Sequence, residues 1–115
     1  MMTSKKAQEP PMRFDVWLVA LDPTIGKEIK KTRPCVIISP NEISSLSTVI
    51  VAPITSGGFD FPVRVKSKFQ EKEGLILLDQ IRAVDKQRLV KKLGIIDRKI
   101  ARKVSETLVE MFVLG

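Results

Sequence analysis

The sequence predicts an α+β fold that is mainly antiparallel β, a barrel-like sheet of short strands with one amphipathic helix packed on it at the C-terminal end. Three observations carry this. The apolar residues fall in short runs rich in valine and isoleucine, separated by Pro, Gly, Asn and Asp. Helical spacing appears from Asp97 onward, where Ile100, Val104, Leu108, Met111 and Phe112 recur on one face. A chain of 115 residues, 43% hydrophobic and 29% charged, has room for one domain around one core.

Taken in order, residues 1–11 are polar and end in Pro10-Pro11, a flexible tail ahead of a domain spanning residues 12–115. Residues 14–21 form the first strand, ended by the turn formers Asp22-Pro23-Thr24-Ile25-Gly26. Residues 27–32 make a loop carrying Lys27, Lys30 and Lys31. Residues 35–39 are continuously apolar, as in a strand buried on both faces, with Pro34 at its start because proline cannot donate within a ladder. Pro40-Asn41 opens a polar loop. Residues 48–53 are the next strand, and Thr55-Ser56-Gly57-Gly58 a turn or loop after it. Val63-Arg64-Val65 alternates as a half-exposed strand, Glu73-Gly74 punctuates, and residues 75–84 form a further strand. Asp85 caps a short turn over residues 86–89, and residues 93–96 add one more strand before the helix. Arg98, Lys99, Arg102 and Lys103 form the helix's wet face.

Lysine and arginine exceed aspartate and glutamate by enough to give a net charge of +7, which favours a polyanionic partner. With a single cysteine, Cys35, an intrachain disulfide is impossible, and a small buried hydrophobe is the expected role. No apolar run is long enough to span a bilayer and none resembles a secretion signal, which points to the cytoplasm without membrane contact. The chain holds no histidine and no tyrosine, so a histidine acid–base pair, a histidine-based nucleophile triad and a histidine zinc site are all excluded. Asp15, Asp22, Asp79 and Asp85 lack the spacing of a magnesium site, so no metal or other cofactor is expected.

Four blocks in register resemble the MazF/PemK toxin family. Arg13-Phe14-Asp15-Val16-Trp17 leading to Leu21-Asp22-Pro23 is similar to its opening. The stretch from Thr32-Arg33-Pro34-Cys35 through Ile38 is similar to its second block, and that from Ile50 through Pro53-Ile54-Thr55-Ser56 to its third. Leu77-Leu78-Asp79-Gln80-Ile81-Arg82 through Leu89 is similar to the most diagnostic block. The resemblance implies an SH3-like barrel of the CcdB/PemK type and a homodimer. It implies sequence-specific, metal-independent cleavage of single-stranded RNA, and an antitoxin whose acidic or disordered tail covers the RNA groove. It puts the family's catalytic arginine on Arg33 and its catalytic threonine on Thr55, with a substrate-contacting glutamine on Gln80. The family commonly has glycine where this chain has Phe14. In the Kid-type branch an aspartate works with an arginine two residues earlier and an upstream histidine; Asp79 matches the aspartate, but Leu77 and Lys27 occupy the other places, so that scheme does not transfer.

Metal-free RNA cleavage uses the RNA's own 2′-hydroxyl as nucleophile, leaving 2′,3′-cyclic phosphate and 5′-hydroxyl ends. Arg33 suits charge stabilisation, because its planar fork holds two phosphate oxygens and stays protonated. Thr55 suits hydrogen bonding to the phosphate or proton relay, with Ser56, Asp79 and Gln80 as further catalytic or positioning candidates. Strand alternation puts Asp79 and Gln80 on opposite sides, so only one faces a given phosphate unless a bulge intervenes. Lys27, Lys30, Lys31 and Thr32 form one wall of the expected groove, with Arg82 and Lys86 opposite; Trp17, Phe59 and Phe61 are the aromatics available for stacking. Two rival functions share the fold: a gyrase poison, which in the CcdB branch acts through a C-terminal tryptophan that this chain lacks, and a nucleic-acid-binding module without catalysis.

Overall fold

The computed structural model describes residues 10–21, 32–57 and 60–114, and the expectations placed on residues 1–9, Asp22, Lys27, Lys30, Lys31 and Phe59 lie outside them. The apolar runs form seven strands: β1 (Asp15–Ala20), β2 (Thr32–Ile37), β3 (Thr48–Thr55), β4 (Arg64–Phe69), β5 (Lys72–Leu77), β6 (Arg82–Asp85) and β7 (Leu89–Ile95). The helix α1 (Arg98–Phe112) follows, its first turn capped by the Asp97 carboxylate, which accepts from the Lys99 N–H at 3.0 Å. All pairings are antiparallel, in the order β4-β5-β3-β2-β1-β7, with β6 on β3. The result is a curled, half-barrel sheet with one helix; among the described residues β4 and β7 end the main strand path, and β6 lies off it, paired with β3 alone.

Alternate side chains of the central strands enter two separate cores. Val16, Val36, Ala52, Val65 and Ile76 face α1 and meet its buried Val104. Trp17, Val19, Cys35, Ile37 and Val51 fill the opposite face together with Val84 of β6. That explains why the second strand reads as an unbroken apolar run: a central strand buried on both faces has no solvent side to mark with polar residues. Trp17 is 2% exposed and therefore a core residue rather than a stacking platform, its indole N–H directed at the Asp15 carboxylate. Asp15 is itself buried, receiving the Met12 N–H at 2.8 Å and the Lys92 ammonium at 3.5 Å. Among the described residues no cluster of metal-ligating side chains occurs, and no helix is long and apolar enough to cross a membrane.

Several strand boundaries differ from the sequence expectation: the second strand runs from Thr32 to Ile37 with Pro34 inside it, and the last begins at Leu89 rather than at residue 93. Glu73-Gly74 does not punctuate but lies inside β5; the turn is Gln70-Glu71, a two-residue hairpin loop with both φ angles positive, 51° and 68°. Gly74 is required by packing instead, since a Cβ there would stand 2.5 Å from the Thr55 carbonyl oxygen. Residues 75–84 are not one strand. β5 pairs with Ile54 and Thr55, β6 pairs with Thr48–Val51, and a 3₁₀ turn, Leu78–Gln80, is looped out between the two ladders. The interruption falls opposite Ala52 and Pro53, and proline offers no N–H to a ladder at that point. Thr55 in turn belongs to β3 rather than to the loop after it.

Candidate active site

β2 and β3 are paired as far as Cys35 opposite Pro53, and beyond that point the pairing stops. Arg33 and Thr55 are the residues just past this fork, two positions beyond Cys35 and Pro53 on their respective strands. The 3₁₀ turn brings Gln80 to the same place, and β6 adds Arg82 at its first position. Together with the apolar side chains of Leu21, Pro53 and Leu77, these four polar residues line one depression of about 350 Å³. Its outer boundary at Leu21 is held where the Arg88 guanidinium donates to the Ala20 carbonyl at 3.0 Å.

The electrostatics of this depression are one-sided. Among the described residues neither the Arg33 nor the Arg82 side chain has a hydrogen-bonding or ion-pairing partner, so two guanidiniums converge without a protein carboxylate between them. Such a pair is stabilised by an incoming anion and suits a phosphodiester. Cys35 lies beneath: burial pushes its thiol up to about 12, while the Arg33 and Arg82 charges pull it in the other direction. The thiol is therefore neutral, its S–H directed at the Arg33 carbonyl at 3.7 Å. The Thr55 hydroxyl oxygen accepts from the Gly57 N–H at 3.4 Å, which leaves the hydroxyl proton available to donate outward.

Asp79 and Gln80 are separated by the turn's geometry. Gln80 lines the depression, and Asp79 is outside it, gripped by Arg64 of β4 through Nε to Oδ1 and Nη2 to Oδ2, each 3.1 Å. The Arg64 hydrogen bonds hold the Asp79 carboxyl below its ordinary value. Arg64 also lies over the Phe61 ring, 4.8 Å from its centroid. The other candidates are dispersed. Lys86 turns away, its ammonium donating to the Ser44 carbonyl, and does not line the depression. Thr32 and Ser56 border a second depression on the other side of Arg33 and Thr55. Arg64 as a partner of Asp79 is not foreseeable from the residue pattern, because the two are 15 residues apart and their contact depends on the register of a hairpin whose turn lacks the usual Asn-Gly or Gly marker.

The model of the PemK-like, MazF-like toxins of type II toxin–antitoxin systems matches residues 12–112. Endoribonuclease MazF of Staphylococcus saprophyticus is 40% identical over 103 residues, covering 84% of this chain and 86% of that protein. Endoribonuclease EndoA of Bacillus subtilis is 36% identical over 104 residues, covering 84% and 89%. Among solved structures, a chain of the MazE–MazF crystal structure from Deinococcus radiodurans superposes with a TM-score of 0.79 at 20% identity, covering 94% of this chain and all of that one, a likeness of fold. With the family model spanning nearly the whole chain and the fold matching, this protein belongs to the PemK-like, MazF-like toxin family of type II toxin–antitoxin systems.

Proposed function

We propose that this protein is an endoribonuclease that cuts single-stranded RNA at a short sequence without requiring a metal ion, as the toxin of a toxin–antitoxin pair. The observation that carries the reading is the convergence of Arg33, Thr55, Gln80 and Arg82 on one depression. Relatives that share a third or more of the aligned sequence are named endoribonucleases, which supports the same activity here. In this scheme the 2′-hydroxyl attacks the adjacent phosphorus, the bond to the 5′-oxygen breaks, and the products carry a 2′,3′-cyclic phosphate and a 5′-hydroxyl. Arg33 and Arg82 stabilise the extra negative charge of the pentavalent state, Thr55 donates to a non-bridging oxygen, and Gln80 orients the nucleotide. Arg33 acts as a charge stabiliser, not as the base.

The protein is further proposed to work as a homodimer. Its antitoxin would place an acidic segment over the same two guanidiniums and so exclude RNA; a mycobacterial endoribonuclease with a similar fold is known in complex with its cognate antitoxin. The test is incubation of antitoxin-free protein with a long mixed-sequence RNA in EDTA, followed by mapping of the new 5′ ends. Discrete cuts at one repeated motif, leaving 5′-hydroxyl ends, are expected. Arg33→Ala should slow cutting roughly 100- to 1000-fold while RNA binding falls far less. Cutting at the parental rate by Arg33→Ala, or no cutting by the parent, would sink the assignment.

A further inference from the structure

Arg33 and Thr55 line two depressions, not one. The second, of about 610 Å³, lies on their far side and falls within the range of roughly 300–1,000 Å³ common to ligand pockets. Its walls combine the half-buried apolar side chains of Ile54, Phe69 and Leu93 with Gln70, Lys72 and Glu73 of the β4–β5 hairpin. A phosphate held at the ridge between two wells has one nucleoside on each side, and these leave it in opposite directions along the strand.

Resting on the ribonuclease reading above, we propose that this second well binds the nucleobase on one side of the scissile phosphate and that Gln70 and Lys72 select that base. Apolar walls with a few placed polar groups are what a single-stranded base requires, since it is recognised by stacking and by hydrogen bonds along its edge. Gln70 is fixed for this role. Its amide nitrogen donates to the Leu93 carbonyl at 3.0 Å, which settles which end of the carboxamide is which, and Oε1 and the second amide hydrogen are left for a base edge. The wall is also anchored. At its tip the Phe69 ring packs so closely on Gly94 that a Cβ there would be 2.9 Å from it, and at its stem Gly74 presses on the Thr55 carbonyl. A rigid wall set against the catalytic threonine itself is the condition for reading a base next to the cut.

The positive φ at Gln70 makes a clean test available, because glycine and asparagine both tolerate that backbone and keep the hairpin. Cut sites of the parent, Gln70→Gly, Gln70→Asn and Lys72→Gln would be mapped on a pooled random-sequence RNA, with thermal melting as the check on folding. The parent should discriminate at one position flanking the cut, and Gln70→Gly should reduce that discrimination roughly 5- to 100-fold while leaving the preference on the opposite side of the cut intact. Variants that fold, cut and keep the parental motif would overturn the second well as a base site and leave the ribonuclease reading standing. Absence of cutting by the parent would remove the ribonuclease reading, and the base site with it.

Discussion

The Arg64–Asp79 fork joins an outer strand to the turn that carries Gln80, so a side chain outside the depression fixes one that lines it. Both carboxylate oxygens are engaged at 3.1 Å, a bidentate geometry that constrains orientation as well as distance. Arg64→Gln should therefore lower kcat more than it weakens RNA binding, because Gln80 loses its fixed position. The pH dependence follows from the depressed Asp79 carboxyl. In the unfolded chain aspartate takes up its proton near pH 3.9, and in the folded protein only at lower pH. The pair's contribution to stability is accordingly complete above about pH 4 and is lost as pH falls through the depressed value. Urea unfolding of the parent and Arg64→Gln should show a gap at pH 7 that closes as the pH is taken below the ordinary aspartate value; a gap that does not change with pH would contradict the assignment. The family blocks in the sequence single out Arg33 and Thr55, which the fold brings to one depression, whereas nothing singles out Arg64, because an arginine in a half-exposed strand looks the same with or without a partner. Phe14 is the converse case. It stands where the family commonly has glycine, and its φ of 74° is a conformation glycine adopts freely. Backbone bonds to Ile37 and Ile96 and packing of the ring on the α1 core hold it there.

At the scale of elements, the three-residue 3₁₀ excursion between β5 and β6 decides which side chains meet. Simple alternation through residues 75–84 separates Asp79 from Gln80 but cannot say which of them faces the arginines. The looped-out turn resets the phase and brings Gln80 to Arg33 and Thr55. Residue types give little notice of it, since Leu77-Leu78 continues the apolar run into the turn; the clue lies across the ladder, in Pro53. The hairpin shows a similar limit, as Gln70-Glu71 is an unmarked turn and Glu73-Gly74 a misleading one. Gly74 offers the sharper test. Gly74→Ala sets a methyl 2.5 Å from the Thr55 carbonyl, backbone that has no flexible end to move aside. The strand must shift, at a cost of about 1–3 kcal/mol in unfolding free energy, and cutting should fall with the displacement of Thr55. Urea denaturation and cleavage rates on one RNA would measure both, and a fully stable, fully active Gly74→Ala would show that β5 does not locate the threonine.

For the whole molecule, the fold class was evident from short β-rich runs followed by one helical repeat, and the surplus of positive charge from simple counting. The distribution of that charge was not, because it depends on which strands end the sheet. β4 carries Arg64, Lys66 and Lys68 on alternate positions, and β7 carries Lys91 and Lys92. These strands end the main path of the sheet among the described residues, where unpaired backbone groups invite another strand. Lys66 and Lys68 meet only exposed carboxylates, of Asp60 and Glu71, across contacts of 3.4 and 4.0 Å. Edge lysines of this kind keep sheets from extending one another. Part of the positive charge is thus a guard on colloidal behaviour rather than a hold on RNA, and it works by repulsion that salt screens within about 10 Å at 0.1 M. Lys66→Thr/Lys68→Thr should leave the cut motif unchanged yet raise light scattering at low ionic strength, and the parent should approach that behaviour as salt is added. The buffer that best preserves this protein in storage would then be a dilute one.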